Sequence, residues 1–180
     1  MKQEIVIAGF GGQGVLSMGK ILAYAALMEG REVTWMPAYG PEQRGGTANV
    51  TVIVSDEPIS SPILSSYDTA VVLNQPSLEK FEPKVKPGGT FIYDSFSIDG
   101  NALRTDLRSY STPAMETAAR EKMTKCYNMF VLGGLLKVCP IVRLESVMQA
   151  LAKSLPERYH HLLDMNRAAL IKGMEVVAEV

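Results

Sequence analysis

Cysteine is nearly absent. Cys126 and Cys139 are the only two, and no C-x-x-C spacing occurs. That argues against an iron–sulfur cluster or a structural zinc site built by this chain alone. Two lone cysteines read as small buried hydrophobes, with a disulfide as the alternative. Histidine is equally rare. His160 and His161 are neighbours, and neighbours on a helix point about 100° apart, so they cannot share a metal as an i, i+4 pair would. Ser17 has no histidine near it in sequence, and G-x-S-x-G is missing, so no serine nucleophile is assigned. No residue is assigned as catalytic and none as a metal ligand. The formal net charge of −1 leaves no global basic field of the kind nucleic-acid binding needs. Apolar runs are broken well before membrane-spanning length. Met1-Lys2-Gln3-Glu4 ahead of a short Ile/Val run does not read as a signal peptide. The expectation is a cytoplasmic protein with neither a membrane nor a nucleic acid as partner.

What is present fits one globular domain over residues 1–180, with 47% hydrophobic and 21% charged residues. Glu4-Ile5-Val6-Ile7-Ala8 is continuously apolar after its first residue, which suits a strand buried on both faces. Val15 to Leu27 predicts a helix stopped at Gly30. Glu32 to Met36 predicts a second strand, closed by Pro37. Thr47 to Ser55 alternates, with Ala48, Val50, Val52 and Val54 on one side. Further strands are predicted at Thr69–Leu73 and Thr90–Asp94, and a weaker one near Leu107–Ser111. Gln75 to Lys86 reads as a short irregular helix ended by Pro87-Gly88-Gly89. The C-terminal part turns helical: a helix capped by Thr112 with Pro113 in its first turn, then Asn128–Val138 and Arg143–Lys153. A last helix runs from Glu157 to about Ala178, opened by a capping box at Ser154–Glu157. The fold class expected is α/β: a Rossmann-like three-layer domain with a mostly parallel sheet, or a mixed one, and a helical C-terminal part.

Between the first strand and the first helix lies Gly9-Phe10-Gly11-Gly12-Gln13-Gly14. G-x-G-x-x-G in that context permits positive φ, close approach to the backbone and an anion at the helix start. A standard dinucleotide site also wants an acid near the end of the second strand. Here that strand ends Thr34-Trp35-Met36-Pro37, with Glu32 at its start, so NAD(P) is disfavoured. Tight strand–helix packing and contact with an anionic cofactor both remain open for Gly9, Gly11, Gly12, Gln13 and Gly14.

A second loop, Gly40-Pro41-Glu42-Gln43-Arg44-Gly45-Gly46, separates two apolar strands. If those strands are parallel, this loop and the glycine turn leave the same sheet edge and flank one crevice. Arg44 could pair with a carboxylate or phosphate; a turn with Arg44 on Glu42 is the plain alternative. Tyr93-Asp94-Ser95 could join the same crevice or form a simple turn.

G-x-G-G-Q-G-V at Gly9–Val15, followed by G-P-E-Q-R-G-G at Gly40–Gly46, resembles the gamma subunit of 2-oxoacid:ferredoxin oxidoreductases. Ser61-Pro62, Asn128 with Leu132-Gly133, and Asn166, Ala169 and Gly173 extend the resemblance over nearly the whole chain. It implies a subunit of a complex that oxidatively decarboxylates a 2-oxo acid, forms an acyl-CoA and passes electrons to ferredoxin. The oxo acid could be 2-oxoglutarate, pyruvate, a branched-chain acid or an aryl pyruvate, and overall resemblance favours 2-oxoglutarate. The resemblance places thiamine diphosphate, magnesium and the iron–sulfur clusters on alpha, beta and ferredoxin-like partners. It leaves to this chain, inactive by itself, a contact with CoA through Gly9, Gly11, Gly12, Gln13, Gly14, Gly40, Pro41, Glu42, Gln43, Arg44, Gly45 and Gly46. A homodimer is a further expectation for the isolated chain. The alternative is a stand-alone Rossmann-like nucleotide-binding or regulatory protein.

Overall fold

The apolar run after Glu4 becomes an interior strand of a seven-stranded sheet, where both faces of a strand are covered. The structure is a computed structural model that describes residues 1–39, 46–99 and 104–180. The strands are β1 (Lys2–Phe10), β2 (Glu32–Tyr39), β3 (Thr47–Ser55), β4 (Tyr67–Val72), β5 (Val85–Asp94), β6 (Arg108–Thr112) and β7 (Ala178–Glu179). Their order is β2-β3-β1-β4-β5-β6-β7. Strands β1, β4, β5 and β6 are parallel, whereas β3 is antiparallel to both β1 and β2, and β7 is antiparallel to β6. The sheet is therefore mixed.

Six α-helices accompany it among the described residues: α1 (Val15–Met28), α2 (Gln75–Phe81), α3 (Ala114–Arg120), α4 (Tyr127–Val138), α5 (Leu144–Ser154) and α6 (Leu163–Val176). Side chains alternate across the sheet. Ile5, Ile7, Val50, Val52, Val71 and Ile92 pack under α1, α4, α5 and α6. Val6, Ala8, Ala70, Val72, Phe91 and Tyr93 pack with Leu78 and Phe81 of α2 and with Ile98. Three layers result. None of the helices is long and apolar enough to cross a membrane.

Several local expectations are corrected. Strand β2 runs on through Pro37, which pairs with Val50. It can do so because β2 is the edge strand, where proline's missing N–H removes no ladder bond. Pro87-Gly88-Gly89 lies inside β5 at a register shift, with Gly88 at φ 73. Thr112 ends β6 and does not cap α3, whose N-cap residue is Pro113 without a side-chain bond. The Ser154–Glu157 capping box does not form. Ser154 closes α5 and its hydroxyl donates back to the Ala150 carbonyl at 2.8 Å. Residues Glu157–Leu162 make a 3-10 turn instead, and the chain ends in the short strand β7. The thiols of Cys126 and Cys139 are free, with Cys126 buried.

Helices α4 and α6 meet through glycine. A methyl group on Gly133 would collide with the Leu170 carbonyl, and one on Gly173 with the Phe130 carbonyl. Hydrogen in place of Cβ lets the two backbones touch, and Ala169 and Leu170 are fully buried beside them.

Candidate functional site

The chain leaves β1 for α1 and strands on one side, and leaves β4 for α2 and β5 on the other. The carboxyl ends of β1 and β4 are adjacent, with Ala8 opposite Val72, so this point is the topological switch where α/β sheets bind ligands. The Gly9–Gly14 turn sits there. Gly9 is buried, Gly11 and Gly12 are exposed, and Gln13 and Gly14 are half-buried. Gly12 has φ 95 and open space where a Cβ would stand. Gly14 has φ 76 and lies at the N-cap of α1, pressed so close to Asn128 that a Cβ would come within 2.7 Å of it. Both angles are in the region L-residues avoid.

Gln13 holds the turn together. Its Oε1 accepts from the Phe10 N–H at 2.6 Å and its Nε2 donates to the Leu73 carbonyl at 3.4 Å. A carboxamide bonded at both ends fixes the turn to β4 and leaves Gly11 and Gly12 as its outward face.

The strands that flank the second glycine segment reach the same edge by a different route from a parallel sheet. Strand β3 slots between β2 and β1, so Tyr39 lies opposite Ala48 and Phe10 opposite Thr47. The end of β2, the start of β3 and the end of β1 then share one level. Gly46 enters β3 there, and its carbonyl accepts from the Gly11 N–H at 3.1 Å. Gly40, Pro41, Glu42, Gln43, Arg44 and Gly45 lie outside the described residues.

Asn74 is a residue sequence reasoning missed. It follows Leu73 at the carboxyl end of β4 and is 2% exposed. Its Oδ1 caps α2 by accepting from the Ser77 N–H at 2.8 Å. Among the described residues its Nδ2 has no hydrogen-bond partner, a costly state for a buried donor unless another group is supplied. The local signal was an asparagine between an apolar strand and Gln75-Pro76, a helix start.

An anion suits this edge: two exposed glycines lead into the first turn of the 14-residue α1, and the adjacent end of β4 is followed by Asn74 with its spare buried donor. Asp94 does not join it as an open acid. It ends β5 fully buried, with its carboxylate accepting from the Tyr127 hydroxyl at 2.6 Å and from the Phe96 N–H at 3.0 Å. Burial pushes its carboxyl above the ordinary value, against those hydrogen bonds. Burial, then the nearby Asp94 charge, pushes the Tyr127 phenol far up as well. His160 contacts the end of α5, its Nε2 lying 2.9 Å from the Ala152 carbonyl, and His161 bonds locally to the Arg158 carbonyl. No group of three or more His, Cys, Asp or Glu among the described residues could hold a metal.

Known proteins share this architecture. The family profile described as pyruvate ferredoxin/flavodoxin oxidoreductase matches residues 4–176. Ketoisovalerate oxidoreductase subunit VorA of Methanothermobacter thermautotrophicus is 41% identical over 178 residues, which are 98% of this chain but 36% of that protein. The chain thus spans about a third of that relative's length. The 2-oxoglutarate synthase subunit KorC of Methanocaldococcus jannaschii is 34% identical over 183 residues, covering 100% of this chain and 96% of that subunit. Among solved structures, the gamma subunit of a keto/oxoacid ferredoxin oxidoreductase from Geobacter sulfurreducens superposes with a TM-score of 0.83 at 27% identity, over 98% of this chain and 96% of that one. The 2-oxoglutarate:ferredoxin oxidoreductase of Magnetococcus marinus, solved with 2-oxoglutarate, coenzyme A and succinyl-CoA bound, gives a TM-score of 0.90 at 26% identity over 97% of this chain and 31% of that one. Glycine turn, mixed sheet and end-to-end similarity converge on one assignment: the chain belongs to the pyruvate ferredoxin/flavodoxin oxidoreductase family, as a domain of the gamma type.

Proposed function

We propose that this chain is the gamma component of a 2-oxoacid:ferredoxin oxidoreductase, and that its glycine-loop edge contacts CoA at the complex's active centre. The observation that carries the reading is the bond from Gly11 to Gly46, which brings both glycine segments to one sheet edge. Gly11, Gly12 and the first turn of α1 would face an anionic part of CoA, with Asn74 Nδ2 as a buried donor behind them. Arg44 would add a cation to that edge. When bound, CoA supplies the thiol that takes over the acyl group left by decarboxylation. Gln13 keeps the turn in shape and does not itself reach outward. Thiamine diphosphate, magnesium and clusters belong on alpha, beta and ferredoxin-like partners, with ferredoxin as acceptor.

The oxo acid proposed is 2-oxoglutarate, since KorC subunits match this chain over nearly their whole length. A branched-chain acid is the second reading, favoured by the higher identity to VorA. Co-expression with thiamine-binding subunits of such a complex tests both. The expected result is CoA-dependent ferredoxin reduction by 2-oxoglutarate that needs this chain and falls when Arg44 is changed to Ala. Full activity of a complex lacking the chain overturns the subunit role. A preference for 3-methyl-2-oxobutanoate replaces the substrate.

A further inference from the structure

A cavity of about 630 Å³ opens between α1, the segment joining α3 to α4, the end of α5 and the start of α6. That volume is in the range that holds small molecules. Its charge is one-sided. Lys20, Lys122 and Lys125 line it and no carboxylate does. Among the described residues none of the three makes an ion pair, and Lys20 Nζ lies over the Tyr24 ring, 5.7 Å from its centre. Lys86, by contrast, pairs with Glu4 and Asp68.

Lys122 is held there against its backbone preference. It has φ 56, the only positive φ among the described non-glycine residues, at a helix end where glycine is the usual choice. Its N–H donates to the Ala119 carbonyl at 3.1 Å, and that of Met123 to the Ala118 carbonyl at 2.8 Å. A lysine in a glycine position, beside two other unpaired lysines, points to a use for its charge.

The wall also holds apolar and amide side chains. Met123, Met129 and Met165 line the cavity with Leu155. Thioethers adapt their shape and favour contact with aromatic rings. Asn128 and Asn166 also line it. Asn166 uses its Nδ2 on the Leu162 carbonyl at 2.8 Å, which leaves its Oδ1 as an acceptor. A wall that offers cations, methionines and carboxamides together matches a flat polar-edged ring that carries phosphates.

We infer that this cavity is a second ligand site, for a nucleoside diphosphate, separate in its residues from the Gly11–Gly46 edge. Lys20, Lys122 and Lys125 take the diphosphate, and the methionines take the base. Asn128 lines the cavity and also abuts Gly14, so a bound ligand bears on the glycine turn.

The test is calorimetry on the full chain with ADP and with pyrophosphate, at low salt. ADP is expected to bind saturably and several-fold more tightly than pyrophosphate. Lys122→Gly, which relieves the backbone and removes the cation, should weaken ADP about 10-fold while thermal stability holds or rises. ADP should also shield Lys20, Lys122 and Lys125 from an amine-reactive reagent, read peptide by peptide, and leave the exposed Lys80 reactive. Absence of saturable ADP binding overturns the site. So does unchanged affinity in Lys122→Gly, or shielding of Lys80 equal to that of the three. Equal affinity for pyrophosphate overturns the part given to the base.

Discussion

The Gly11 N–H donates to the Gly46 carbonyl at 3.1 Å. One bond thus ties two glycine segments that are 35 positions apart in the chain. A Cβ on Gly11 would lie 3.9 Å from that same carbonyl, an ordinary contact. Alanine and proline therefore separate shape from bonding. Gly11→Ala should keep CoA-dependent activity of the assembled complex near the parent level. Gly11→Pro, which lacks the donor, should lose most of it with a stability cost of about 1 kcal/mol. Equal activity in the two variants would sink the link between this bond and CoA use.

Gln13 gives a second prediction. Gln13→Ala removes an acceptor for the Phe10 N–H and a donor to the Leu73 carbonyl. Loss of both is expected to cost about 1–2 kcal/mol. Gln13→Glu keeps the acceptor only and should fall between parent and alanine. Denaturant midpoints of the three chains order them; alanine equal to the parent contradicts the bracing role.

The α4–α6 crossing should be the most sensitive place for a single methyl. Gly133→Ala and Gly173→Ala each push a methyl into the opposite backbone, and each is expected to cost about 2–4 kcal/mol. Helix propensity alone would predict a gain of about 1 kcal/mol from alanine. The double variant should cost less than the sum, because the first change already separates the helices. A raised melting temperature in either single variant refutes the close approach.

Asp94 fixes the sign of one pH dependence. Burial raises its folded value above the ordinary 3.8, so the folded chain holds that proton more tightly than the unfolded one. Its contribution is complete below the unfolded value and is lost as pH rises through the raised folded value. Asp94→Asn cannot ionise and should remove that loss, flattening stability across this window. Urea titrations at a series of pH values would show the same slope in both chains if the Asp94 carboxyl were not responsible.

Glu4 acts in the opposite direction. Burial works to raise its carboxyl, but hydrogen bonds and charge from Lys2 and Lys86 outweigh it and hold the value below the ordinary 4.5. Its contribution is present above the unfolded value and fades as pH falls toward the lower folded one. Lys86→Met should shrink that acid-side loss, and at neutral pH cost about 1 kcal/mol, since the lysine is partly exposed. An unchanged acid limb in the urea series would rule out the Lys86 contribution.

Much of the frame was legible without coordinates. The run after Glu4 had to be buried on both faces, and it forms an interior strand flanked by β3 and β4. The glycines at 9–14 had to form a strand-to-helix turn, and Gly12 and Gly14 do carry positive φ. Other local cues were overridden. Thr112 looked like a cap but pairs with Asp94 in the sheet, and Ser154 spends its hydroxyl on the turn behind it. A cap is a contest between nearby acceptors, and sheet pairing can win it.

By itself, the sequence of this protein determined the strand-and-helix alternation, the two glycine segments and the scarcity of cysteine and histidine. These follow from composition, periodicity and the φ angles that only glycine adopts readily, all properties of a short stretch of chain. The tertiary structure alone settled four further matters: β3 lies between β2 and β1, Asn74 is buried with a spare donor, Gly133 and Gly173 face the opposite backbones, and three lysines share one cavity. Each depends on which distant segment packs beside which, and that is set by burial of whole faces, not by neighbours along the chain.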